Sequence, residues 1–276
     1  DKETFVRGYV YGYGDRITKK ESFSHLLKAC YPSDGEDAAL LKEKLKKTKI
    51  TDKRLLEAAM YAPQWIEIVA GYLGWEGLRS AAWYFHAHIN EGFSAEKETI
   101  VAHYSPIAPQ DFNDGAFDIH WFHEAYETLG EERFDLLYDC AKYISAGANH
   151  RRSQLFADAT LGKLKRSEME KSVEDKRNKD HLLTYSLIPL AEPPEPDVRE
   201  RYDFIQKFLE QSKKFGAQRK ASEALVSRIA LGNLARNAGY DDVTRLVWDM
   251  EARKLDDLRS YFEPHALDEA TTIQLV

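Results

Sequence analysis

The spacing of the apolar residues restricts the fold of this chain more than any other feature, because it recurs at three and four rather than at two. Trp75, Leu78, Ala82, Phe85 and Ile89 fall on one helical stripe, and so do Ile119, Phe122, Tyr126 and Leu129. A period of about 3.6 residues puts such side chains on one face, and burial of that face stabilises a helix in water. The same spacing returns in Leu55, Leu56, Ala59 and Met60, in Phe134, Leu137, Tyr138, Ala141 and Ile144, and in Tyr202, Ile205, Phe208 and Leu209. It predicts an all-α fold, an irregular antiparallel array of helices of the α-solenoid-like or α–α superhelical kind. No fixed period links the units, so a strict repeat such as the tetratricopeptide or ankyrin type is not expected. The exception is the start, where Phe5, Arg7, Tyr9, Tyr11 and Tyr13 alternate with Val6, Gly8, Val10, Gly12 and Gly14, which predicts a short extended arm.

Helix boundaries follow from cap chemistry. Asp34 is placed to cap a helix over about 34–47, Thr51 the next, and Pro63 suits a first turn before Trp65, Ile68, Val69 and Tyr72, with Gly71 and Gly74 bracketing the end. Trp75 is expected to open the longer helix through Ile89, Ser94 to cap another, and the turn Asn113-Asp114-Gly115 to separate that one from a helix starting near Asp118. A charge-dense helix is expected from Ser167 to about Tyr185. The segment 189–196 contains Pro193-Pro194 and reads as a linker. Residues 1–276 thus read as one helical region with a sub-boundary at 189–196, dividing an array over 1–188 from C-terminal helices over 197–276. Asp241 or Asp242 caps the last of these. The chain starts at Asp1 and ends on the β-branched run 271–276, which favours strand pairing; both ends read as cut points in a longer protein.

Composition removes whole classes of function. Only two cysteines occur, Cys30 and Cys140, without CxxC spacing, so a disulfide scaffold is excluded and a reducing, cytoplasmic setting is expected. Charges interrupt every apolar run, so no membrane role is expected. There is no G-K-[ST] after the early glycines and no G-x-S-x-G elbow, and Glu131-Glu132 and Asp241-Asp242 fall at helix starts, where they serve as caps. No catalytic residue and no cofactor are expected.

Two groups remain. His86 and His88 form an HxH, but on a helix residues two apart point about 200° apart, so the pair cannot share one ion. His120, with His123 and Glu124, has ligand spacing on one helical face, and these three are the candidate metal ligands. The second group is basic: over 142–220 there are 17 Lys and Arg against 12 Asp and Glu, in a chain of net charge −7. Arg151, Arg152, Lys213, Lys214, Arg219 and Lys220 are the candidates for a phosphate-binding surface, with 213–220 the least interrupted by acids.

Five stretches carry a family resemblance. They are Ala58-Ala59-Met60-Tyr61-Ala62-Pro63-Gln64-Trp65, Trp83-Tyr84-Phe85-His86-Ala87-His88, Asp175-Lys176-Arg177-Asn178-Lys179-Asp180, Phe215-Gly216-Ala217-Gln218-Arg219 and Asn237-Ala238-Gly239-Tyr240-Asp241-Asp242. Together they resemble large bacterial proteins that carry the domain of unknown function numbered 4132, some described as MolR-like and bearing a WGR domain. The resemblance implies a helical region upstream of that domain, and it brings no catalytic residues. The expected function is a non-catalytic helical scaffold that binds a protein, including other domains of the same parent chain. The alternatives are a nucleic-acid-binding array using 142–220 and a metal-dependent hydrolase using the histidines.

Overall fold

A computed structural model describes residues 19–89, 92–145, 149–266 and 271–273. The alternating stretch over 5–14 and Gly147, the expected stop of the helix carrying Ile144, lie outside the described residues. The described chain is all-α, with fifteen α-helices and one two-residue antiparallel β pair. It falls into two compact units, Asp1–Leu164 and Lys165–Val276.

The first unit holds α1 (Lys19–Ala29), α2 (Ala38–Leu45), α3 (Asp52–Tyr61), α4 (Ile66–Leu73), α5 (Leu78–His88), α6 (Ala95–Tyr104), α7 (Pro109–Asp114), α8 (Ile119–Leu129), α9 (Glu131–Ala141) and α10 (Asn149–Thr160). Its centre is α5, against which α4, α6, α7, α8, α9 and α10 all pack. Leu78 and every residue from Ala81 to Ile89 are buried, so from Ala81 onward this helix is covered on all sides rather than along the single stripe its spacing announces, while Arg79 in its first turn stays exposed. The reason is aromatic: Phe85 meets Phe134 at 4.9 Å, and Tyr84 lies edge-on to Trp121 at 5.8 Å and to Phe117 at 6.1 Å. Offset and edge-on ring pairs add to the burial of large apolar area.

The second unit holds α11 (Arg166–Lys176), α12 (Lys179–Tyr185), α13 (Pro194–Gln211), α14 (Ala217–Asn237) and α15 (Val243–Leu258), then β1 (His265–Ala266) paired with β2 (Thr272–Ile273) in register His265↔Ile273. Here α14 is central, with α12, α13 and α15 against it. The proline-rich segment lies inside this unit, and Pro194 starts α13 at a position where its missing N–H costs nothing.

Several helix ends differ from expectation. Asp37, not Asp34, caps α2 by accepting from Leu40 N at 2.9 Å, because Asp34 sits in a turn with Gly35 at φ +85°. Trp75 stays outside α5, because Gly74 ends α4 at φ +63° and Gly77 at φ +76° must be passed first. A Cβ at Gly77 would also lie 2.8 Å from Thr128 Cγ2, so this position needs glycine twice over. The end of α4 at Leu73 falls between Gly71 and Gly74 as expected, and a Cβ on Gly71 would come 3.1 Å from that of Ala38, which marks the close approach of α2 to α4. The expected helix from Ser167 to Tyr185 is two helices, since Arg177 takes φ +49° and Asn178 caps α12 through His181 N. Thr51, Ser94 and Asp242 cap as expected, accepting from Arg54, Lys97 and Arg245 N–H respectively, and Asp118, near which a helix start is expected, caps α8 by accepting from Trp121 N–H.

Candidate functional site

The candidate metal ligands do not converge. His120 and Glu124 are exposed on α8, and Glu124 Oε1 accepts from Ser80 Oγ at 3.4 Å. His123 points its Nδ1 to Glu127 at 3.9 Å. Among the described residues no group of three or more His, Cys, Asp or Glu could hold a metal ion. His86 and His88 are buried on different sides of α5. The Asp118 N–H donates to His88 Nε2 at 3.3 Å, which requires a lone pair there, so the proton is on Nδ1 and is donated to Tyr84 O at 2.8 Å. His88 is thereby a neutral bolt between α5 and the start of α8. His86 donates Nε2–H to Ala59 O at 3.4 Å, and burial first, then the charges of Lys97 and Lys28, holds its pKa well below the usual range.

The basic candidates are divided between the two units. Arg151 is exposed and Arg152 donates Nη2 to Asn113 O at 2.9 Å, both in the first. In the second, Lys213 pairs with Glu210 at 2.6 Å, Arg219 Nε donates to Glu223 Oε1 at 2.9 Å while its guanidinium lies over Phe215, and Lys214 and Lys220 are exposed. Arg177 joins Arg219 on the buried Glu223: its Nη2 donates to Oε2 at 2.6 Å and to Phe208 O at 2.8 Å, and its Nη1 to Gln211 at 2.8 Å. Burial opposes ionisation of Glu223, yet the two arginines hold its pKa below the usual carboxylate range. Part of the positive charge counted in the sequence is thus used inside the fold.

A second network centres on Arg201, which is 1% exposed. Its Nε and Nη2 donate to the two oxygens of Asp197 at 2.9 and 2.8 Å. Its remaining three N–H groups reach Tyr185 O, Ile188 O and Pro189 O, so all five donors are used. Arg166 adds a further bond to Asp197 at 2.6 Å, and the Asn237 amide donates to Ser186 O and Ile188 O. The stretch at Pro63 to Trp65 plays a similar part in the first unit. Gln64 Nε2 reaches the carbonyls of Leu27, Lys28 and Cys30 at 3.3, 2.8 and 2.9 Å, and Trp65 Nε1 that of Leu27 at 3.2 Å, which closes the end of α1. Each motif-like stretch in the sequence therefore covers a core, ends a helix or holds a buried ion pair.

What is left over is a recess. α1, α2, α3 and α4 enclose an apolar groove of about 250 Å³ walled by Leu27, Leu40, Leu41, Leu55, Trp65 and Val69. Glu36, Asp37 and Lys44 stand on its rim. α2 has no buried residue although it begins Ala-Ala-Leu-Leu, so its leucines are only half covered. Sequence reasoning placed Leu40 and Leu41 in a helix but could not see the recess, because adjacent leucines on an eight-residue helix define no single face. The available signal was the excess of apolar residues on so short and lysine-rich a helix.

The elements define a helical protein with buried ion-pair networks and an apolar groove, and no assembled group of catalytic side chains is seen among the described residues. The chain belongs to the family of unknown function DUF5724, whose sequence model matches residues 1–250. This overturns the resemblance to proteins carrying the domain numbered 4132: the matching family is a different one, and the five stretches that carried the resemblance are accounted for by local structure. No curated protein and no solved structure matches the chain. Among the described residues no helix is long and apolar enough to cross a membrane.

Proposed function

We propose that this chain is a non-catalytic helical module that docks a protein partner, and that the partner's docking segment is a short amphipathic helix seated in the groove of α1–α4. The observation that supports this is the groove itself, whose wall is apolar side chains from four helices while charge is confined to the rim. A void of about 250 Å³ takes one or two large aliphatic or aromatic side chains, which is how helix-in-groove recognition obtains most of its affinity. Glu36 and Asp37 at the N-terminal end of α2 favour a basic residue at the corresponding end of the guest, and Lys44 at the other end of α2 favours an acidic one.

The test is selection from a library of helical peptides carrying two apolar anchors with randomised flanks, followed by titration against the folded protein and a Leu41→Arg variant. Leu41 is half-exposed, so the substitution is tolerated by the fold and blocks the groove. The expected result is enrichment of a basic residue at one flank and loss of binding in L41R. Selected peptides that bind L41R equally well, or that show no dependence on their apolar anchors, would overturn the reading.

A further inference from the structure

One end of the second unit carries positive charge that its own carboxylates do not answer. There α11 ends, α12 begins, α13 ends and α14 begins. Arg177, at the junction of α11 and α12, bonds to Phe208 O and Gln211 in the last turn of α13 and to Glu223 of α14. Lys179 donates to Ser222 Oγ at 2.5 Å, which puts the start of α12 beside the second turn of α14. Over 174–180 and 207–223 this end holds eight Lys and Arg against five Asp and Glu, in a chain of net charge −7. Three of the five carboxylates are engaged: Glu174 with Lys207 at 3.5 Å, Glu210 with Lys213 at 2.6 Å, and the buried Glu223 with both Arg177 and Arg219. Asp175 and Asp180 are exposed. Lys176, Lys214 and Lys220 are exposed as well, and they pair with no carboxylate among the described residues.

We infer that this end of the unit binds single-stranded nucleic acid without sequence preference, with backbone phosphates on Lys176, Lys214 and Lys220 and a base stacked on Arg219. A strand carries one negative charge per nucleotide, and ammonium groups with no carboxylate of their own take up that charge and release its counterions. Arg219 separates a nucleic acid from other polyanions. Its guanidinium lies over the Phe215 ring at 3.6 Å, its Nε donates to Glu223 at 2.9 Å, and its side chain is still 49% exposed. A ring beneath and a carboxylate at one edge hold the guanidinium in place while the rest of it faces solvent. A guanidinium held in this way is a stacking platform for a nucleobase. Bases are available to stack on a side chain where they are unpaired, so the arrangement fits a single strand rather than a duplex. The surface is separate from the groove of α1–α4, and the inference does not rest on that groove.

The experiment is fluorescence anisotropy of a labelled oligothymidylate of about 20 nucleotides titrated with the whole chain, from about 20 to about 200 mM salt. Three phosphate contacts predict a slope of about −2 for the logarithm of affinity against that of salt concentration. The triple variant Lys176→Glu, Lys214→Glu, Lys220→Glu changes only exposed side chains, and it should weaken binding about tenfold or more. A control triple variant on the first unit, Lys42→Glu, Lys46→Glu, Lys47→Glu, makes the same change in net charge and should stay within about twofold of the wild type. Arg219→Lys keeps the charge but loses the plane, so it should lower the preference for oligothymidylate over a duplex of equal length about threefold or more. The wild-type salt slope and strand preference are independent measurements if a variant does not fold. No binding at about 20 mM salt, an affinity independent of salt, or unchanged binding in the Lys176, Lys214 and Lys220 variant would each overturn the assignment. Tighter binding of the duplex, or equal binding of polyglutamate or of phosphatidylserine vesicles, would overturn it as well.

Discussion

Arg201→Met would remove the centre of the α12–α13 network while keeping a side chain of similar length in the buried space. The wild-type guanidinium uses all five donors: two on Asp197 and three on the carbonyls of Tyr185, Ile188 and Pro189. Removing one partner of a buried ion pair costs about 3–5 kcal/mol. Arg166 and the Ala191 N–H still hold Asp197, at 2.6 and 2.9 Å, which puts the ion-pair part at the low end. Ile188 O keeps the Asn237 amide, and the Tyr185 and Pro189 carbonyls left without their donor add about 1 kcal/mol each, less where water enters. The expected loss is about 4 kcal/mol, equivalent to roughly 15 °C in the melting temperature of a unit of this size. The pH dependence changes with it. Burial raises the pKa of Asp197, but the Arg201 bond, the Ala191 N–H and Arg166 bring it below the usual carboxylate value. A depressed folded pKa contributes stability above the unfolded pKa, about 3.9, which is lost as pH falls through the folded value. In R201M the largest lowering contact is gone, so Asp197 takes up its proton more readily in the folded state, and the stability gap between R201M and the wild type should narrow as pH falls below about 4. Native-state hydrogen exchange read on peptides from α12 and α13, with urea unfolding followed by circular dichroism, measures both effects. A loss below about 1 kcal/mol at neutral pH, or a gap to the wild type that does not narrow in acid, would refute the reasoning. So would a double variant R201M/D197N no more stable than R201M, because removing the stranded charge should restore part of the loss.

Gln64→Ala should leave the Lys28 and Cys30 carbonyls without their side-chain donor, while Leu27 O keeps Trp65, and raise amide exchange over residues 24–30 at a local cost of about 1–2 kcal/mol, with the second unit unaffected. Gly77→Ala should destabilise the first unit by about 2 kcal/mol or more in thermal unfolding, from positive φ and the 2.8 Å approach to Thr128; a neutral outcome would contradict the packing of α8 on that turn. Cys30 is exposed and should react at once with a thiol reagent. Cys140 is buried, its thiol is pushed up to about 12 by burial and then by Glu57, and it should react only on unfolding.

Helical periodicity was legible because it is local: the stripes through Phe85 and Phe122, the caps Thr51, Ser94 and Asp242, and the helix start near Asp118 are decided within a few residues. What escaped was decided by distant partners. From Ala81 on, α5 is buried on every side because six other helices supply cover, and nothing in its own pattern states how many faces will be used. The break at Arg177 escaped because a left-handed arginine is unfavourable alone and is held by Glu223, Gln211 and Phe208 O, 31 to 46 residues away. The basic excess over 142–220 was counted correctly, but counting cannot tell a solvated lysine from Arg177 or Arg166, whose charges are answered by buried carboxylates. Of the candidate sites, the failure of the HxH to share one ion followed from helix geometry alone. The groove did not, since it is made by what α2 leaves unfilled.

The attachment of α1 has a consequence of another kind. Gln64 and Trp65 grip its final turn through main-chain oxygens, and every amino acid presents the same oxygen. The placement of that wall is therefore encoded in the Pro63–Trp65 turn, while most of the side chains α1 displays are left out of the agreement. From α1 it is Leu27 that lines the groove, so a change at that one position re-cuts what the recess accepts while the scaffold beneath it stays still.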